Sequence, residues 1–295
     1  MNLFFKSIRL LAFVGSSFAM LTIAQEAQAV VTCNAAATLP ASAYVASTAT
    51  TTTGSVTVTC TRAASDPTDA SVGYVRSGGA GVVSYNIGAD GVNTGNTIAV
   101  SGANLLNYSL FRPPTFTSVW SATNVTAGTV SFSTGQTTAS NTTSFTMNVP
   151  AGRWSSPAGN YTELVTVFLT YGTTNGTTSF TNSVTVSSIC IFPTPPGDLN
   201  FGTYNSLATG PALAATSPFQ IRCTRGVVYS FGFDVSTSTI PGVNLNYSLT
   251  APAGGTILNL VVDLNIVGSM PSGQSGTCST ASCAGSQSRT LILSY

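Results

Sequence analysis

The same series of landmarks occurs twice along this chain, in the same order. In the first half a cysteine, Cys33, precedes Ser55-Val-Thr-Val-Thr-Cys60-Thr-Arg62, then Leu106-Asn-Tyr-Ser-Leu110 and the Val149-Pro-Ala-Gly152 turn. An alternating segment from Leu164 to Tyr171 closes that half. In the second half Cys190 precedes Phe219-Gln-Ile-Arg-Cys223-Thr-Arg225, Leu245-Asn-Tyr-Ser-Leu249, the Met270-Pro-Ser-Gly273 turn and a segment from Thr290 to Tyr295. Two copies of one pattern over 295 residues predict two related domains.

Each copy reads as β-structure. Thr and Val dominate the patterned stretches, and β-branched side chains suit a pleated surface better than a helix. Period-2 segments such as Val56-Thr-Val58 and Val165-Thr-Val-Phe-Leu169 are separated by Gly, Asn, Pro and Ser turns. The expected fold class is all-β, with two immunoglobulin-like β-sandwich domains.

The first residues have the form of a secretory leader. Lys6 and Arg9 precede an apolar run, and Ala27-Gln28-Ala29 supplies small residues for cleavage, which predicts a signal peptide over 1–29. Beyond it seven arginines balance seven acidic residues. A neutral, charge-poor chain has little to offer a phosphate backbone, so nucleic acid is excluded as a partner. Near-zero charge favours association instead.

Export makes disulfides the default state of Cys33, Cys60, Cys190, Cys223, Cys278 and Cys283. Six cysteines allow fifteen pairings, of which chain order and the repeat favour Cys33–Cys60, Cys190–Cys223 and Cys278–Cys283. With no histidine and dispersed cysteines, a zinc site is not expected, and no Ser-His-Asp or Cys-His centre can be assembled. No cofactor motif occurs, and the acids form no cluster suited to glycoside hydrolysis. The chain is not expected to be an enzyme.

The first domain carries about twice the connection between its second cysteine and its Asn-Tyr-Ser motif. The extra residues lie around 77–101 and are rich in glycine, including Gly81-Val-Val-Ser-Tyr85. They are either a functional loop or an added hairpin.

Cys190, Phe201-Gly-Thr-Tyr204, Cys223-Thr-Arg-Gly226, Met270-Pro-Ser-Gly-Gln274 and Leu291-Ile-Leu-Ser-Tyr295 resemble the spore coat protein U domain. The first half resembles it more loosely, through Tyr108-Ser-Leu-Phe111, Pro150-Ala-Gly152 and Gly159-Asn-Tyr161. The resemblance implies a subunit of an archaic, Csu-type chaperone–usher pilus, and two-domain members of the family resemble tip adhesins. Each such pilin is a sandwich lacking its final strand, which a neighbour supplies by strand addition. A second, structural reading is a spore-coat or shaft protein without a receptor of its own.

On this reading 30–176 is the tip domain, 177–189 a linker or intramolecular donor strand, and 190–295 the pilin domain. Phe180, Val184 and Val186 alternate within the linker and are the candidate donor side chains completing the first domain. Only Val30, Val31 and Thr32 would separate the predicted cleavage site from Cys33; about 10 Å of chain is too short to serve a neighbour. The second domain should be completed by an adjacent pilin, after a periplasmic chaperone and an outer-membrane usher. The chain would thus pass through the periplasm to the pilus tip, support biofilm formation and meet an abiotic or host surface. Candidate adhesive residues are Leu39, Pro40, Val82, Val83, Tyr85, Phe116, Trp120 and Trp154. A polar sugar pocket is the competing binding mode.

Overall fold

The structure is a computed structural model that describes residues 31–63, 74–77, 80–91, 97–112, 118–206, 209–258 and 260–295. The leader and Phe116 lie outside them. Among the described residues there is no helix, in keeping with the β-branched composition.

Twelve strands precede residue 187: β1 (Thr32–Thr38), β2 (Ser42–Tyr44), β3 (Thr50–Thr61), β4 (Tyr74–Ser77), β5 (Ala80–Gly91), β6 (Ile98–Ser101), β7 (Asn104–Asn107), β8 (Ser109–Phe111), β9 (Thr126–Phe132), β10 (Thr138–Val149), β11 (Gly159–Tyr171) and β12 (Thr174–Val186). They form two sheets. One has the order β1-β3-β10-β8; the other has β2-β12-β11-β5-β4 as its spine, with β6, β7 and β9 attached. Alternate residues of each strand point inward, as the period of a strand requires. Val56, Val58, Leu110, Phe145, Tyr161, Val165, Val167 and Leu169 meet between the sheets and are buried.

The outer face of β1, β3 and β10 is nearly all Thr, Ser and Asn. Its hydroxyls pair across the strands, Thr32 with Thr61 at 2.8 Å, Thr57 with Thr142 at 2.8 Å and Thr38 with Ser55 at 3.1 Å. Such cross-strand pairs support the sheet and keep its outer face polar without charge.

Of the two readings of the glycine-rich connection, a functional loop or an added hairpin, the described residues fit the hairpin. It contains β5, a long strand between β11, β4 and β9. Two glycines on these strands, Gly81 and Gly128, provide clearance rather than turns. A Cβ on Gly128 would come within 2.4 Å of the Tyr85 ring, and one on Gly81 within 2.2 Å of the Tyr74 ring. Two aromatic side chains therefore lie flat across neighbouring strands.

β12 runs antiparallel to β11 from Tyr171↔Thr174 to Gly159↔Val186, and parallel to β2 on its other side. A division between residues 176 and 177 falls inside this one strand.

Eight strands follow: β13 (Cys190–Thr194), β14 (Leu213–Cys223), β15 (Val228–Phe233), β16 (Thr237–Ile240), β17 (Leu245–Thr250), β18 (Gly255–Thr256), β19 (Val261–Met270) and β20 (Leu291–Ser294). They build a second sandwich, β13-β14-β19-β17-β16 against β18-β15-β20. Disulfides join Cys33 to Cys60, Cys190 to Cys223 and Cys278 to Cys283. The first two link the same pair of strands in each sandwich, β1 to β3 and β13 to β14.

Candidate functional site

The two sandwiches differ in how far their cores are closed. In the first, the inward residues of β11 (Tyr161, Glu163, Val165, Val167, Leu169 and Tyr171) are all buried. Phe180, Val184 and Val186 of β12 are 6%, 0% and 2% exposed, and the Phe180 ring meets Phe145 at 5.3 Å. These are the candidate donor side chains, and they lie in the first core. The spacing predicted for a linker or donor strand is the alternation of a strand paired with β11 along its length and with β2 over Val184–Val186.

The second core is shallower. Phe219, Ile221, Cys223, Val227, Tyr229, Ile257 and Ile266 are buried, but the side chains packed around them are only half-buried. Among these are Phe192, Phe231, Phe233, Val262, Leu264, Leu291 and Leu293. Phe219 forms the floor between two edges: its ring lies 6.0 Å from Phe192 on β13 and 5.5 Å from Phe231 on β15.

β20 pairs with β15 on one side, and among the described residues its other edge meets no strand. Among the described residues β13 likewise pairs only with β14. Two open edges thus flank a strip of half-covered apolar side chains. The start of β20 is held in place by the Thr290 amide, which donates to the Asp234 carboxylate at 3.0 Å, and by Asp234 N–H, which donates to Thr290 O at 3.1 Å. The Thr290 bond is the main reason the Asp234 carboxyl titrates below its ordinary range; the Arg289 guanidinium, 3.9 Å away, adds to it.

The first domain has a different kind of site at the end marked by Thr61 and Tyr171. Arg62 is 5% exposed, with no carboxylate partner among the described residues. Its guanidinium donates to Gln136 O and Ser133 O at 3.1 Å each and to the Tyr74 hydroxyl. It also lies 4.8 Å from the Phe132 ring centre. One side chain therefore gathers the ends of β3, β4, β9 and β10. The Cys60-Thr-Arg62 motif was visible in the repeat, but its role was not.

The adhesive candidates divide. Val83, Tyr85, Trp120 and Trp154 are 0%, 2%, 2% and 6% exposed and are core side chains, which corrects their assignment to a binding surface. Val83 and Tyr85 face inward because β5 is a strand, and the Tyr85 hydroxyl accepts from Asn141 at 3.0 Å. Trp120 is turned in by its indole N–H, which donates to Ile87 O at 3.0 Å. Trp154 sits on the turn between β10 and β11, against the second domain. Leu39 is half-buried against the first core, Pro40 is exposed, and Val82 is 36% exposed on the outer face of β5. Among the described residues no group of His, Cys, Asp or Glu could hold a metal ion.

A family model, Spore Coat Protein U domain, matches residues 18–168, the half in which the sequence motifs were looser. No curated protein matches the chain. Among solved structures the chain is similar to the chaperone–tip adhesion subunit pre-assembly complex CsuC–CsuE of Acinetobacter baumannii. The identity there is 12%, the TM-score 0.49, and the match covers 88% of this chain and 100% of that one. It is also similar to the CupB6 tip adhesin of Pseudomonas aeruginosa (9% identity, TM-score 0.36, 90% and 94% covered). The CooA pilin subunit of enterotoxigenic Escherichia coli gives 19% identity and a TM-score of 0.29, with 50% and 88% covered.

Proposed function

Because the chain belongs to the spore coat protein U domain family, which supplies chaperone–usher pilus subunits and not enzymes, we propose that it is the tip adhesin of such a pilus. The observation that carries this reading is the contrast between the two sandwiches. The first covers its own core with β12; the second presents two unpaired edges over half-buried Phe192, Phe231, Leu291 and Leu293. A strand laid beside β20 would satisfy its free backbone groups, and its alternate side chains would cover those residues.

On this proposal the strand comes first from a periplasmic chaperone and then from an adjacent pilin, after passage through an outer-membrane usher. The closed first domain accepts no strand, so it is the free end of the fibre. It would attach the cell to an abiotic or host surface and support biofilm formation. Contact would be made at the end organised by Arg62, with Val82 among the exposed apolar side chains nearby.

The test is immunogold electron microscopy of cells bearing the pilus, using antibody against the first domain. Gold confined to fibre ends is the expected result. Gold along the fibre would replace the tip assignment with the shaft or coat reading, and surface attachment after deletion of the chain then reports whether adhesion resides here at all.

A further inference from the structure

Two domains joined by three residues ordinarily move relative to one another unless a substantial interface restrains them. Here the first and last residues of the connection, Ser187 and Ile189, are tied to one side or the other. Ser187 N–H donates to Tyr44 O of the first domain at 3.0 Å. Thr224, fully buried beside Cys223 in the second domain, holds Ile189: its amide donates to Ile189 O at 2.9 Å, and its hydroxyl accepts from Ile189 N–H at 3.3 Å. The same hydroxyl lies 3.4 Å from Ser187 O. Ile189 and Ile191 pack against the core of the first domain.

A second strut stands beside the connection. The turn carrying Trp154 is fixed to the first domain by the Tyr44 hydroxyl, which donates to Pro150 O at 2.8 Å and accepts from Arg153 N–H at 3.1 Å. Gly152 N–H donates to Ala46 O at 2.8 Å, and the Ser156 hydroxyl to Leu105 O at 2.8 Å. From this turn Trp154 reaches the other domain twice. Its carbonyl accepts from Arg225 N–H at 2.9 Å, and its ring faces the Arg222 guanidinium at 5.8 Å. Arg222 Nε is buried without a hydrogen-bond partner, and the indole face lies beside the guanidinium there.

We infer that Trp154 and Thr224 form a two-point latch that holds the domains at one fixed angle, making the chain a single rigid rod rather than two beads on a tether. A single connection would leave rotation about it free; a second contact beside it removes that freedom. The inference stands on the junction alone and does not depend on the pilus proposal.

The test places spin labels, on unnatural amino acids that leave the disulfides untouched, at Ser140 in the first domain and Thr250 in the second. Both positions are exposed. Pulsed electron–electron resonance on the full chain should give one narrow distance distribution. Trp154→Ala and Thr224→Val should each broaden it roughly twofold as hinge motion is released. Thr224→Ser should restore the narrow distribution, which general loosening of the fold would not do. If Thr224→Val does not fold, Trp154→Leu keeps an apolar side chain there, removes the ring face and reads the same quantity. A broad distribution in the unmodified chain, or one that no latch variant widens, would overturn the inference.

Discussion

Arg62 shows how much one buried cation can organise in a chain with little charge. Its fork reaches two carbonyls and a phenol at once, which the single ammonium of a lysine cannot do. Arg62→Met leaves those acceptors under-satisfied and should lower the first domain's stability by about 1–3 kcal/mol, measured by urea unfolding. Arg62→Lys should move it in the same direction. Limited proteolysis near residues 133–137 should speed up in both variants, because the loop loses its anchor there.

Tyr108 gives the residue scale its pH dependence. It is 4% exposed and donates to the buried Glu163 carboxylate. Burial first, then the Glu163 carboxylate, hold its phenol far above the ordinary tyrosine range. The folded state therefore keeps a proton that the unfolded chain releases above pH about 10. Stability from this group is fully present below that pH and falls as pH rises beyond it. Thermal melts should show Tm dropping above pH about 10, less steeply in Tyr108→Phe, which has no proton to keep.

At the scale of elements, β12 is where the first domain closes. Phe180→Ala should cost the first domain about 3–5 kcal/mol in urea unfolding, the range for a large aromatic removed from a core. A passive linker would show almost no change. Much of this was legible: Phe180, Val184 and Val186 alternate as a buried strand must, and the two disulfides follow the repeat. Val83, Tyr85, Ile87 and Ala89 alternate just as clearly, yet the glycines around them left a loop and a hairpin equally open. Composition cannot tell a glycine that permits a turn from one that admits a ring, and Gly81 and Gly128 are of the second kind. The open edge was expected from the family resemblance and not from the spacing of its own residues. Phe231 and Leu293 have the periodicity of core residues, and their incomplete burial depends on which strands are neighbours in space.

For the whole molecule, the contrast between a closed and an open sandwich should be visible in how fast backbone amides exchange. Exchange from an edge needs only local opening, whereas exchange from a central strand needs the sheet to come apart. In the isolated chain, amides of β11 where it lies between β12 and β5, and of β12 that point to β11, should exchange roughly 100-fold or more slowly than those of β13 and β20. A synthetic peptide of alternating Val and Thr, long enough to run beside β20, should then slow exchange at β13 and β20 and leave β11 and β12 unchanged. The rigid junction adds a finer expectation. Amides at Ile189 and Thr224 should be protected before any peptide is added, because their partners are within the chain. If β20 were already as protected as β11 in the isolated chain, its outer edge would be covered from within, and the second domain would have no place for another strand.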